Sequence, residues 1–386
     1  MSLTTGGDQT DQTDHTTATP RASRRRRSWL ARRHPVTKVV LAGLVVFALL
    51  VGFSISRALR APGTDSVAAR LAEWGRGHGL SPVIDRLERA TYHAPAVGGK
   101  PAATSPLVTA APPQPAVANG LPSAIAPLAP APLPHEGQWE PLTTVGGVPA
   151  IEAAYLRPDA IHTSYTAGVV RMDQSRVRFE LHPGTQEPGH GPWSLPPVLS
   201  GAARGGLVAA FNSAFRVDAA RGGFYLDGRT VGTLRTGAAS FVIDRQGRAS
   251  IGVWGRDVRM SSNVVAVRQN LDLLVDGGAP VAGLDTNAGG RWGATLGNRL
   301  FVWRSGVGIT KTGAIIYVAG DRLSASSIAE LLRRAGSVRA MELDINPEWT
   351  SFVSYPKEQN LLPTMQRKAS RYDTTGTRDF FAVHVR

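Results

Sequence analysis

An uncharged apolar run from Val39 to Ile55 follows a basic cluster, and it decides where the rest of the chain can fold. At about 1.5 Å rise per residue, this run together with residues 35–38 just spans a hydrocarbon core of about 30 Å. Arg21, Arg24, Arg25, Arg26, Arg27, Arg32, Arg33 and Lys38 precede it, against Asp8, Asp11 and Asp14. The positive-inside rule then puts the N-terminus in the cytoplasm and everything after Ile55 outside. Arg26-Arg27-Ser28-Trp29-Leu30 also resembles a twin-arginine export signal, so a cleaved signal peptide is the competing reading. The charged stretch Ser56-Arg57-Ala58-Leu59-Arg60 offers no clean small-x-small cleavage site, which favours an uncleaved anchor. Either way the main domain lies outside the cytoplasm, in a single-pass protein of the cell membrane.

Composition shifts divide the chain further. Residues 1–35 read as a disordered basic cytoplasmic tail and 36–55 as the transmembrane anchor. Residues 56–93 carry a short amphipathic pattern, Val67, Leu71 and Trp74, then Val83, Ile84 and Leu87 after a Gly-rich break, and read as a juxtamembrane helical stalk. The Ala/Pro-rich residues 94–137 predict a partly extended linker, and 138–386 the folded domain. With Cys 0, a disulfide framework, Cys-ligated zinc and thiol catalysis are excluded. The net charge of +14 is concentrated in part before the anchor and otherwise scattered. No interleaving of basic and aromatic residues tracks a phosphate backbone, so no nucleic-acid partner is expected.

Within the folded domain, short apolar runs bounded by Gly, Pro, Asp or Asn recur at 151–156, 163–172, 177–181, 206–211, 240–243 and 249–253. They continue at 264–267, 271–275, 306–309, 314–318, 340–343 and 381–385. These lengths and boundaries predict strands. One helix is expected at 326–335, with a Ser cap, an apolar face of Ile328, Leu331 and Leu332, and Gly336 as its stop. The fold class is therefore α+β: a strand-dominated domain with a mixed or antiparallel sheet and few helices, preceded by one transmembrane helix and a Pro/Ala-rich linker.

Polar groups where buried strands emerge are the candidates for chemistry. The run Met341-Glu342-Leu343-Asp344-Ile345-Asn346-Pro347-Glu348-Trp349 is the most informative. Alternation puts Met341 and Leu343 on one face and Glu342 and Asp344 on the other, with Trp349 suited to stacking on a sugar ring. Asn212 ends another strand; its amide either binds a sugar hydroxyl or phosphate oxygen, or makes an Asx-turn. Arg235 is either an anion binder or a surface charge, and Asp276 either faces a substrate or sits in a common Asp-Gly turn. Arg304, beside Gly306 and Gly308, offers a planar fork for a phosphate, while the glycines allow close approach of a ligand or another backbone.

In order and spacing these pieces resemble the phosphodiester glycosidase family over residues 206–355. Asn212-Ser213-Ala214-Phe215 corresponds to the family's Asn-Gly-Gly-Phe-Phe-like strand end, and Arg304 with Gly308 to its Arg-x-x-x-Gly motif. Leu343-Asp344 corresponds to the start of Leu-Asp-Gly-Gly-Gly-Ser, with Ile345-Asn346-Pro347 standing in place of the Gly-rich turn. The resemblance implies a hydrolase that cleaves a sugar-1-phosphodiester, with phosphate as leaving group, in an envelope polysaccharide or glycoconjugate. Asp344, Arg304, Asn212 and Glu348 would be catalytic, with Asp344 as general base or stabiliser of oxocarbenium-like charge and Glu348 or Asp276 as second carboxylate. Arg235, Asp276, Asn346 and Trp349 would bind substrate. No cofactor is implied, although Asp344 and Asn346 could hold a divalent cation. The alternative is a catalytically silent glycan- or cell-wall-binding module on the same fold.

Overall fold

The computed structural model describes residues 35–61, 63–90, 92–109, 121–189, 191–293, 295 and 300–386. Nearly all of the expected cytoplasmic tail, the twin-arginine-like stretch and residues 110–120 of the linker lie outside them. Residues up to Ser56 form one unit and residues from Arg57 another. The first is dominated by helix α1, Pro35–Leu59, which is long and apolar enough to cross a membrane. Its side chains, Leu44, Phe47 and Phe53 among them, are uncovered, as a lipid-facing helix requires.

The second unit begins with two short helices, α2 (Val67–Gly77) and α3 (Ser81–Ala90). Ser66 caps α2 by accepting from the Ala69 amide at 3.1 Å. A single turn, α4 (Pro106–Thr109), follows in the linker, part of which lies along the domain: Leu107, Ile125 and Ala129 are buried. The strands come next: β1 (Glu140–Val145), β2 (Val148–Leu156), β3 (Ala167–Met172), β4 (Val177–His182), β5 (Leu207–Asn212), β6 (Phe224–Leu226) and β7 (Arg229–Val231). Then come β8 (Ala239–Asp244), β9 (Ala249–Val253), β10 (Val264–Gln269), β11 (Leu273–Asp276), β12 (Ala279–Pro280), β13 (Val302–Thr310) and β14 (Ile315–Leu323). Helix α5 (Ala325–Arg334) separates these from β15 (Ser337–Glu342), β16 (Phe352–Ser354), β17 (Gln359–Asn360) and β18 (Phe380–Val385).

Three sheets result, ordered β1-β2-β3-β14-β13-β15-β11-β12, β7-β6-β10-β8-β9 and β17-β16-β5-β18-β4. Strand pairing is antiparallel throughout these sheets, and the strand-dominated α+β class holds. Val307, Tyr317, Met341 and Leu343 of the first sheet or its end join Phe211, Phe241, Phe352 and Phe381 in the central core. Its opposite face, with Ala154, Val169, Val318 and Ala340, is covered by Ile328, Leu331 and Leu332 of α5. Period-2 alternation thus puts Met341 and Leu343 in the same core, as the sequence predicts. Helix α5 starts in a capping box between Ser324 and Ser327.

The face under α5 holds an ion pair. Gly306 pairs with Glu342 across the β13–β15 ladder, so Arg304, two residues earlier on the same face, reaches the Glu342 carboxylate diagonally. Both side chains are fully buried. Arg304 also donates to the Leu323 and Trp292 carbonyls at 3.0 Å and to that of Leu300 at 3.4 Å. Burial pushes the Glu342 carboxyl up to about 7, against the pull of Arg304. The neighbouring glycines admit the protein itself: a Cβ at Gly308 would come 2.2 Å from Ser337 Oγ. Arg304 is therefore corrected from phosphate ligand to internal strut, because its guanidinium is spent on Glu342 and three backbone oxygens. Replacing Arg304 alone with Met should destabilise the domain by about 3–5 kcal/mol, since Glu342 is left buried without its partner. Adding Glu342→Leu should recover most of that loss, read from denaturant unfolding midpoints of the two variants.

Candidate functional site

Asp344 leaves β15 at the end of the ladder, and its backbone is held tightly. Its carbonyl accepts from the Ser305 amide at 2.9 Å, from Ser305 Oγ at 2.8 Å and from Thr350 Oγ1 at 3.2 Å. Its carboxylate accepts from the Asn346 amide at 2.9 Å and from Arg378 Nη2 at 3.0 Å. Burial pushes the Asp344 carboxyl up to about 6; Arg378 opposes this and the Glu73 carboxylate of α2 adds to it. Where a Gly-rich turn is expected, Asn346 builds one instead. Its Oδ1 accepts from the Glu348 amide, and its carbonyl from the amides of Trp349 and Thr350, all at 2.9 Å. Asn346 is thus a turn former.

Arg378 carries the connection from Asp344 to a cavity of about 240 Å³. The domain lines it with Gln186, Glu187, Arg216, Trp349, Thr377 and Arg378. Glu187 accepts from the Val217 amide at 3.0 Å, lies 3.5 Å from Arg216 and is pushed up by burial. Trp349 has three guanidinium groups over its ring system, Arg367 at 4.9 Å, Arg378 at 5.0 Å and Arg371 at 5.9 Å.

The remaining wall comes from the segment ahead of α3, including Asp65, Arg70, Glu73 and Trp74. Glu73 meets Arg216 at 3.1 Å, Ser66 Oγ donates to Glu348 at 2.8 Å, and Asp65 pairs with Arg367 and accepts from Thr377 Oγ1 at 3.0 Å. The residues expected as a stalk therefore include a cap across this cavity, tied down by carboxylates on arginines.

Asn212 is buried beneath the site. Its Nδ2 donates to Ser305 Oγ and the Ser213 carbonyl at 2.9 Å, and its Oδ1 accepts from Tyr317 OH at 2.9 Å and the Ser351 amide at 3.0 Å. Every hydrogen-bonding position of the amide is used internally, so it positions strands and does not contact substrate. Glu348 pairs with Arg367 at 3.3 Å besides accepting from Ser66. Asp276 ends β11, just before the Gly277-Gly278 turn, and is paired with Arg256 at 2.8 Å; it lines neither this cavity nor the neighbouring one. Arg235 lines that neighbouring, more open depression, about 770 Å³, which shares Gln186, Glu187 and Arg216 with the first.

Sequence reasoning missed Glu187, Arg216 and Arg378. Arg216 was visible, four residues after Asn212 at a strand end, whereas Glu187 and Arg378 lie in segments without periodicity. The assembled site combines a carboxyl near 6, a second carboxylate pushed up by burial and two arginines around a concave space. Such a set can bind an anion and move a proton.

Comparison with known proteins identifies a family for part of the chain. Residues 201–344 match the family described as phosphodiester glycosidase. The catalytic domain of zebrafish N-acetylglucosamine-1-phosphodiester alpha-N-acetylglucosaminidase, auto-inhibited by pro-peptide, is 16% identical, covering 64% of this chain and 88% of that one, with a TM-score of 0.42. A hypothetical protein from Synechocystis is 13% identical, covering 65% of each chain, with a TM-score of 0.37. No curated protein matches by sequence. The resemblance carried by the motifs between Asn212 and Asp344 is thereby borne out by the family match over residues 201–344.

Proposed function

We propose that the chain hydrolyses a sugar-1-phosphodiester in an envelope polysaccharide or glycoconjugate, anchored by residues 36–55 with its N-terminus in the cytoplasm and its main domain outside. The observation that carries this reading is Asp344, a buried carboxyl held near 6 and bonded to an arginine that lines a cavity walled by arginines and carboxylates. Arg378 and Arg216 neutralise the phosphodiester, and Trp349 offers an aromatic wall to the sugar. Asp344, ionised, draws a proton from the attacking water or stabilises the positive charge developing at C1. Water supplies the hydroxyl to C1 as the C1–O bond to phosphate breaks, and the phosphate departs as a monoester anion. That leaving group is already acidic, so a strong general acid is not required; Glu187 is the second carboxylate beside the phosphate site.

Asp344→Asn should lower kcat/KM on a synthetic sugar-1-phosphodiester by about 10²–10⁴-fold, in line with loss of a general base. The assay uses the whole chain in detergent. Equal turnover in the variant would sink this assignment, and saturable glycan binding by the native chain without turnover would support the binding-module alternative.

The pH dependence has a definite sign. If Asp344 works as a carboxylate, kcat/KM of the capped protein rises with pH through a midpoint near 6. Glu73 disfavours ionisation of Asp344, so Glu73→Gln should move that midpoint down. The same substitution removes a competing anion from Arg216 and should lower KM for the phosphodiester. A midpoint that stays fixed or moves up would contradict the proposed electrostatic link.

A further inference from the structure

Away from the Asp344 cavity, β4 and β18 bring two histidines and a glutamate together. Glu180 and His182 share a face of β4, and the antiparallel register sets Ala382 opposite Glu180 and His384 opposite Arg178. Alanine leaves room between the two larger groups. His182 Nε2 lies 3.3 Å from Glu180 Oε2, and His384 Nε2 lies 3.4 Å from that same oxygen. The three ligand atoms all fall within 4.8 Å of one another.

The second contact of each ring decides what those atoms are. His182 Nδ1 sits 2.8 Å from the Pro196 carbonyl, and His384 Nδ1 sits 3.0 Å from the Gly205 carbonyl. A carbonyl only accepts, so both Nδ1 atoms carry a proton, and each Nε2 is turned toward the same carboxylate oxygen. His384 Nε2 is buried without a hydrogen-bond partner. Arg178 already holds the other Glu180 oxygen. A bound cation would take the three converging ligand atoms at once.

Metal geometry agrees. For ligand bonds of about 2.0–2.2 Å in a tetrahedral zinc site, the distance between ligand atoms is about 3.4 Å. Nδ1–H to a backbone carbonyl is the usual support that orients a metal-bound imidazole. The histidine side chains are 0% and 2% exposed, while Glu180 at 23% gives the site an opening to solvent for an incoming ion and a fourth, water ligand.

We infer that Glu180, His182 and His384 form a divalent transition-metal site, of a kind suited to Zn²⁺, separate from the Asp344 cavity. The ion would clip β4, the edge strand of its sheet, to β18. None of the three residues lines the cavity, so the site stands or falls independently of the proposed hydrolase.

The test uses the full chain without an affinity tag, stripped with chelator and titrated with Co²⁺ in detergent. One equivalent should bind with visible d–d absorption of a tetrahedral site, Zn²⁺ should bleach that absorption stoichiometrically, and the Tm should rise with either ion. Glu180→Gln and His384→Gln should each abolish the one-equivalent phase. Glu180→Gln, at the partly open position, keeps size and hydrogen bonding, and its apo circular dichroism confirms that the chain is folded. Absence of a one-equivalent phase in the native chain, or its persistence in folded Glu180→Gln, overturns the assignment.

Discussion

A guanidinium and a carboxylate sealed between a sheet and its covering helix hold up the strand that delivers Asp344. Arg304 and Glu342 have no access to water, so their charges are balanced only by each other and by the carbonyls around them. Their placement needs the β13–β15 register, the glycines that let α5 and Ser337 close in, and the carbonyls of Trp292 and Leu300. One residue beyond that ladder the chain turns, and the next carboxyl stands beside a cavity instead of inside a core. The contrast between Glu342 and Asp344, two residues apart, is one of partners: an internal arginine for the first, an arginine on the cavity wall for the second.

Much of the scaffold was legible in the sequence, since strand and helix periods reflect burial on one face or both. The α5 helix shows a serine cap, an apolar stripe and a terminal glycine, and it lies within a residue of the expected span. Asp344 was legible for a related reason, as a polar residue directly after a core strand. Arg304 and Asn212 were misread because a polar side chain on a strand reveals its chemistry only through its cross-strand neighbours. Glu342 faces Arg304 by virtue of register, and Tyr317 and Ser351 reach Asn212 from far along the chain. Glu187 and Arg378 were invisible because they meet Asp344 through tertiary folding of irregular segments.

The electrostatics of the cleft differ in kind from those of the core pair. Around Trp349 three arginines share one aromatic and few acids; Asp65, which pairs with Arg367, comes from the segment just after α1, as does Glu73, which pairs with Arg216. The cap is held chiefly by charge, with Trp74 and Ala69 adding apolar contact surface at the cavity wall. The Glu73–Arg216 pair is partly exposed, worth little by itself and weakened by salt, whereas Asp65–Arg367 is nearly buried.

Glu73 on Arg216 has a consequence for discrimination. A carboxylate of the same chain, although 143 residues away in sequence, competes as an intramolecular partner. A neutral glycan brings nothing to exchange for that contact, however well its rings fit the tryptophan. An anionic one substitutes charge for charge. On the proposed reading, the cap is an internal reference ligand against which an anionic substrate competes for Arg216.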